Sequence, residues 1–209
     1  MARVVIRVVF LSALAVLPAC TNEMPPPGAL MAQAAYPTIG TSWVMHESDS
    51  GDRGYTAVAT TYRGAPAYGI QRGNSIDILN PQTFNYMATI TNGKETKTSS
   101  PDDGKFSWPL WVGKSWSVRV TTESPGGSSP PSVLLYNREV TAYEDVTVEA
   151  GTFKAFRIES LLGPGVDPGY HWTLWYAPSL AYLVKSDLST GVGALGGAKT
   201  ISIEMVTPP

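Results

Sequence analysis

The chain has 209 residues, of which 43% are hydrophobic and 15% are charged, and its formal net charge at pH 7 is −2. This length and apolar content predict one folded domain with a hydrophobic core and exclude a chain that is disordered throughout. The slightly acidic balance argues against a nucleic-acid-binding protein, which normally carries a surplus of basic residues. The single cysteine excludes an intramolecular disulfide bond.

The N-terminus has the pattern of an export signal. Arg3 and Arg7 are followed by an apolar run over Val8–Ala19, which is too short for a transmembrane helix of about 20 residues and is typical of a secretory signal peptide. The run ends at Leu17-Pro18-Ala19-Cys20, which resembles the lipobox of bacterial lipoproteins. The resemblance implies that residues 1–19 are a signal peptide and that Cys20 carries acyl chains such as palmitate.

The residues after the cysteine predict how the protein is held. The resemblance to lipoproteins implies membrane attachment through the lipid anchor, and Thr21 implies the periplasmic face of the outer membrane. Residues 20–39, which include Pro25-Pro26-Pro27-Gly28, have the composition of a semi-rigid tether. We therefore expect a single β domain over residues 40–209.

The body of the chain alternates apolar and polar residues with a period of two, which predicts strands with one face toward a core. Turn signals such as Asn92-Gly93 and Ala150-Gly151 separate the strands, and the second pair fits the centre of a turn that needs positive φ at glycine. We expect an all-β fold in which a curled antiparallel sheet of about ten short strands forms a barrel-like or sandwich domain. The alternating sets that suggest this are Phe84/Tyr86/Ala88/Ile90, Trp116/Val118/Val120, Tyr170/Trp172/Leu174/Tyr176 and Ile201/Ile203/Met205.

If the sheet closes into a barrel, the alternation predicts which side chains point inward. Large side chains can fill a small barrel completely, so we expect a filled core rather than a cup that holds an apolar ligand. The expected inward set is Trp116, Val118, Val120, Phe156, Ile158, Trp172, Leu174, Ile201 and Ile203.

Three short motifs in one stretch resemble a known group of sequences. They are Pro109-Leu110-Trp111-Val112-Gly113-Lys114-Ser115-Trp116, then Ala150-Gly151-Thr152-Phe153, and then Trp175-Tyr176-Ala177-Pro178 before Val184-Lys185. In this order they resemble a group of exported bacterial domains of unknown function that occurs in periplasmic proteins and lipoproteins. The resemblance implies a fold and an envelope location, and it implies no catalytic residues.

The sequence predicts no catalytic, metal or cofactor site, because it contains no motif for nucleophilic, zinc or phosphate chemistry. His171 and Trp175 share the outward face of one predicted strand and are the candidate surface-binding residues. We expect a non-enzymatic binding or scaffolding module that recognises an envelope protein or an apolar ligand. The alternatives are an envelope hydrolase acting on a glycan or lipid, and a purely structural assembly factor.

The expected anchor can be tested directly. Replacing Cys20 by serine should abolish acylation and release the protein from the membrane fraction, because the sulfur that accepts the acyl chain is lost and lipid anchoring depends on the buried chains. Intact-mass analysis of the wild-type protein should show acyl mass on residue 20. An unmodified cysteine in the membrane-associated protein would contradict the lipoprotein interpretation.

Overall fold

The computed structural model describes residues 24–127, 129–163, 169–191 and 199–209. Their regular structure is entirely β, as the sequence predicts. The strands number twelve rather than about ten, partly because polar strands such as Lys94–Ser100 show no apolar alternation. The strands are β1 Ser42–Glu47, β2 Gly51–Tyr62, β3 Ala65–Arg72, β4 Ser75–Leu79, β5 Tyr86–Thr91, β6 Lys94–Ser100, β7 Ser115–Glu123, β8 Ser132–Val148, β9 Gly151–Leu162, β10 His171–Ala177, β11 Tyr182–Thr190 and β12 Lys199–Thr207.

The twelve strands form one closed barrel. Each strand pairs antiparallel with its neighbours in sequence, and β1 pairs with β12 to complete the circle. This last pairing joins Glu47 to Ile203 and Val44 to Thr207, with an irregularity between Val44 and Met45. The sequence left a barrel and a sandwich open, and the β1–β12 pairing decides for the barrel.

The barrel has two ends that differ in what occupies them. We call the end where the chain enters β1 the proximal end; the connections at residues 63–64, 149–150 and 178–181 also lie there. The opposite end, with the connections at residues 48–50, 73–74 and 92–93, is the distal end. Phe156, Ile158 and Leu174 are fully buried in the core between the two ends. The register of the strands places the other residues of the expected inward set on the inward face as well.

The segment before β1 packs into the proximal end. Ala32 forms an antiparallel bridge with Leu110, with N···O distances of 3.0 and 2.9 Å. The hydroxyl of Tyr176 donates to the carbonyl of Ala35 at 2.9 Å, and Pro37 is buried. The predicted start of the β domain at residue 40 therefore leaves out residues 32–37, which are part of its packing. The expected signal peptide and Cys20 lie outside the described residues.

The connection between β6 and β7 closes the same end from the other side. Phe106 is held like a strand residue by the buried side chain of Asn85, whose Oδ1 accepts from its N–H at 2.7 Å and whose Nδ2 donates to its carbonyl at 3.0 Å. Leu110 and Trp111 are buried beside it. The indole Nε1 of Trp116 donates to the carbonyl of Gly104 at 2.9 Å. The motif from Pro109 to Trp116 is thus part of a plug, by which we mean the segments that fill the proximal end.

One predicted alternation is interrupted by a bulge. Leu79 pairs with Tyr86 while Ile78 pairs with Ala88, so Met87 has no partner on β4. Tyr86 therefore faces the interior, whereas Ala88 shares the outer face with Gly69. The expectation that Phe84, Tyr86, Ala88 and Ile90 share one face is wrong for this reason.

The connection between β8 and β9 contains the predicted Ala150-Gly151 turn. Val148 pairs with Gly151, so the two-residue loop is Glu149-Ala150, one residue earlier than the sequence suggested. Gly151 has φ +130° as expected for the positive-φ position. A Cβ there would meet only Phe153, at 3.7 Å, so the constraint at this glycine is its backbone conformation.

Gly151→Val should lower the free energy of unfolding by about 1–3 kcal/mol, because a β-branched residue is strained at positive φ. Gly54→Val is the matched control, since Gly54 lies in β2 without positive φ and a Cβ there has nothing within 4 Å. Urea unfolding of both variants measures the difference. Equal midpoints would contradict the turn assignment.

Candidate ligand-binding site

The barrel is hollow in its distal half. A cavity of about 430 Å³, the lumen cavity, is lined by inward side chains of the strands and has Tyr36 and Tyr182 at its proximal side. Its volume lies within the range of small-molecule sites. The expected filled core is therefore wrong, because a barrel of twelve strands is wider than one that its own side chains just fill.

The lining of the lumen cavity is basic in a protein that is slightly acidic as a whole. Four basic side chains line it against two carboxylates, and these are Arg72, Lys97, Lys105 and Arg138 against Asp77 and Asp103. Arg72 Nε lies 3.0 Å from Asp77 Oδ2, and Lys105 Nζ lies 3.7 Å from Asp103 Oδ2. Lys97 is exposed, so the cavity meets solvent beside it. The cavity therefore carries a surplus of positive charge.

Arg138 is the most deeply buried of these cations, with 3% of its surface exposed. Its Nε donates to Ser160 Oγ at 3.1 Å, and its Nη1 donates to the carbonyl of Asp103 at 2.7 Å. Its Nη2 is buried and has no hydrogen-bond partner in the described structure. Burial lowers the pKa of Arg138 from its usual value, yet a guanidinium stays protonated in proteins.

The position of the guanidinium is fixed by its neighbours. Its carbon Cζ lies 4.9 Å from the ring centroid of Tyr136, a cation–π distance. Tyr136 in turn lies 5.9 Å from Tyr170, ring centroid to ring centroid. A charged group held by two hydrogen bonds and an aromatic face keeps its orientation, so Nη2 is a preorganised donor.

Apolar and aromatic side chains form the rest of the wall. Trp172 lines the cavity, with its Nε1 donating to Ser186 Oγ at 2.8 Å and Lys105 Nζ 5.4 Å from its ring. Val120 and Leu188 also line it. A cavity with apolar walls and a few fixed polar groups is the usual form of a ligand site, and this one suits an amphipathic molecule.

The two carboxylates of the cavity are engaged in the structure of its wall. Asp77 Oδ1 accepts from Thr89 at 2.7 Å in addition to its ion pair with Arg72. Asp103 Oδ1 accepts from the backbone N–H groups of Tyr86 and Lys105 at 3.0 and 3.1 Å. These bonds orient the basic side chains and tie the β6–β7 connection to the barrel.

Tyr36 separates the lumen cavity from a second cavity of about 900 Å³ at the proximal end. Its ring stacks on Phe84 at 4.7 Å and meets Tyr68 and Tyr182 edge-on, each at 5.4 Å between centroids. The hydroxyl of Tyr68 donates to the carbonyl of Pro37 at 2.7 Å. The segment before β1 thus places one aromatic ring across the barrel as a partition.

The surface residues predicted from the sequence lie elsewhere. His171 is exposed on the outer face and its ring Nε2 is hydrogen-bonded to Glu159. Trp175 donates from Nε1 to Glu144 Oε1 at 2.9 Å, and Lys185 Nζ lies 5.6 Å from its ring. Neither residue lines the lumen cavity. The structure does not bring them together with Arg138.

Sequence reasoning missed Arg138 and the basic lining. The signal was present in the alternation, because Arg138 has the same parity as Tyr136 and Val140 on β8. A basic residue at an inward position of a strand indicates either a buried ion pair or a lined cavity. Asn137 and Glu139 are also polar, so charge on both faces hid the pattern.

Within the ranges that the structure covers, no group of three or more His, Cys, Asp or Glu side chains could hold a metal ion. Over the same ranges, no helix has the length and apolar character to cross a membrane.

Fold and site together define a closed twelve-stranded antiparallel β-barrel with a plugged proximal end and a basic lumen cavity. The structure is similar to that of the hypothetical lipoprotein YmcC from Escherichia coli (K12), with a TM-score of 0.49 and 9% sequence identity over 82% of this chain and 89% of that chain. It is also similar to a candidate lipoprotein from Parabacteroides distasonis ATCC 8503, with a TM-score of 0.45 and 14% identity over 85% of this chain and 99% of that chain.

No protein-family model matches the sequence, and comparison with curated proteins finds no relative. Because both structural likenesses have TM-scores below 0.5 and identities below 25%, neither bears on activity.

The aromatic interior predicts an alkaline titration. Burial raises the pKa of most of the ten tyrosines, to about 12 for Tyr86 and to higher values for Tyr68, Tyr176 and Tyr182. When folding raises the pKa of a tyrosine, the resulting stabilisation of the folded state is fully present below the unfolded pKa of about 10. This stabilisation is lost as the pH rises toward the pKa of the folded protein. The free energy of unfolding should therefore fall above pH 10. Ultraviolet titration that shows all ten tyrosines ionising near pH 10 in the folded protein would contradict the burial described here.

Proposed function

We propose that the protein is a bacterial envelope lipoprotein whose barrel binds a small amphipathic molecule in the lumen cavity. The observation that carries this proposal is the cavity itself, which combines apolar walls with fixed basic groups inside the barrel. A purely structural assembly factor has no need of such a cavity. A hydrolase that acts on a glycan needs two carboxylates that flank the scissile bond, whereas Asp77 and Asp103 are engaged in holding the wall.

The proposed anchor and the fold fit each other. Cys20 precedes the first described residue, Met24, by four positions, and the chain then leads into the proximal end. Five of the seven large hydrophobic side chains that are exposed among the described residues belong to segments at this end, and they are Met24, Leu30, Met31, Ile39 and Val112. This distribution supports an orientation in which the proximal end faces the membrane and the lumen cavity faces away from it. Attachment to the periplasmic face of the outer membrane, as Thr21 implies, is part of the proposal.

Binding in the lumen is tested with the exported form of the chain, without residues 1–19 and with Cys20→Ser, so that no detergent is needed. This form keeps every residue of the barrel and of the segment packed into it. Calorimetric titration with single-chain amphiphiles of ten carbons should give saturable binding at one molecule per chain. Leu188→Trp, at the lining of the cavity, should weaken binding at least tenfold, or by about 1.4 kcal/mol, because the larger ring fills the space.

The matched control is Leu161→Trp, because Leu161 lies on the outer face of β9 and is 51% exposed. It should bind like the parent protein. If Leu188→Trp binds as tightly as the parent, or if both substitutions weaken binding equally, the ligand does not occupy the lumen cavity and the proposal is wrong.

A further inference from the structure

Arg138 is the buried cation of the lumen cavity, and the carboxylates of Asp103 and Asp102 act on its charge only from beyond ion-pair distance. Arg72 and Lys105 are each paired with a carboxylate of the wall. Among the described residues, no ion pair involves Arg138, although it is the most buried of the lining cations. Burying an uncompensated charge is costly, so buried charges in proteins are normally paired or hydrogen-bonded throughout.

From this arrangement we infer that the ligand carries an oxyanion, a carboxylate or a phosphate, and that this group binds the guanidinium of Arg138. The inference rests on the proposed function and specifies the chemistry of its ligand. The ligand class is a single-chain amphiphile with an anionic head.

The geometry of Arg138 favours an oxyanion over a neutral polar group. Two of its donor positions are occupied by Ser160 Oγ and the carbonyl of Asp103, and Nη2 is buried without a hydrogen-bond partner on a side chain that lines the cavity. Hydrogen bonds from guanidinium to carboxylate or phosphate are shorter and stronger than neutral ones. An anionic head therefore supplies both the missing acceptor and a negative charge within ion-pair distance of the guanidinium.

The other cations of the cavity strengthen the preference. Lys105 lines the same wall, and its ion-pair distance to Asp103 is a long 3.7 Å. Lys97 is exposed beside the cavity and can attract an anion as it enters. The apolar side chains of Val120, Trp172 and Leu188 line the same space and would contact the alkyl chain.

The test compares three ligands that share a ten-carbon chain and differ in the head: decanoate, decyl phosphate and decanol. Each is titrated below its aggregation concentration into the same exported form of the chain. One or both of the anions should bind at least tenfold more tightly than decanol. The anion that binds more tightly identifies the head group as a carboxylate or a phosphate. Arg138→Met should reduce this preference to below threefold, while Arg138→Lys, which keeps the charge, should retain part of it.

Arg119→Met is the matched control, because Arg119 is exposed and alternates with the inward residues of β7; it should keep the full preference. Equal affinity for decanol and both anions in the parent protein would overturn the inference and leave the proposed function intact. Absence of binding by all three ligands would overturn both. If Arg138→Met does not fold, as shown by circular dichroism, the three-ligand comparison in the parent protein and in Arg138→Lys still decides.

Discussion

Closure of the sheet by the pairing of β1 with β12 is the constraint on which the rest of the structure depends. Closure satisfies the backbone groups that would otherwise form two exposed edges, but with twelve strands it creates an interior wider than strand side chains alone can fill. The remaining space has to be filled by other segments or stay hollow. The protein does both, at opposite ends of the barrel.

At the proximal end, segments outside the strands supply the missing core. Ala32 lies in the segment before β1 and Leu110 in the β6–β7 connection. The two residues form an isolated antiparallel β-bridge and belong to one buried core cluster. Tyr36 then lies across the interior with three aromatic rings around it. Aromatic side chains suit this role because each buries a large area with few rotatable bonds. The partition that they form sets the depth of the lumen cavity.

In the distal half, charged side chains line the interior together with apolar ones. Arg72 and Lys105, which are partly exposed, form ion pairs with carboxylates of the wall, whereas the buried Arg138 forms none and its Nη2 has no hydrogen-bond partner. Stability alone gives no reason to retain such a residue, since replacing buried ionic groups by apolar ones of similar volume is often neutral or stabilising. A binding role gives a physical reason for it.

The sequence was sufficient for the strand content and for much of the inward set, because alternation with a period of two is a local property. It placed Phe156, Ile158 and Leu174 in the core, where they are fully buried. It could not reveal the packing of residues 32–37, because their partner Leu110 is distant in sequence. It also could not reveal the cavity, since a hollow interior depends on the number of strands that close, and polar strands such as β6 leave no apolar trace. The alternation predicts His171 and Trp175 on the outward face of one strand, and an outward face says nothing about a site inside the barrel.

The most direct test of the account is a crystal structure of the exported form with decyl phosphate or decanoate bound. We expect the alkyl chain inside the barrel beside Trp172, with an oxygen of the head group within hydrogen-bond distance of the guanidinium of Arg138. A ligand seated on the outer face, or in the lumen with its head group away from Arg138, would contradict it.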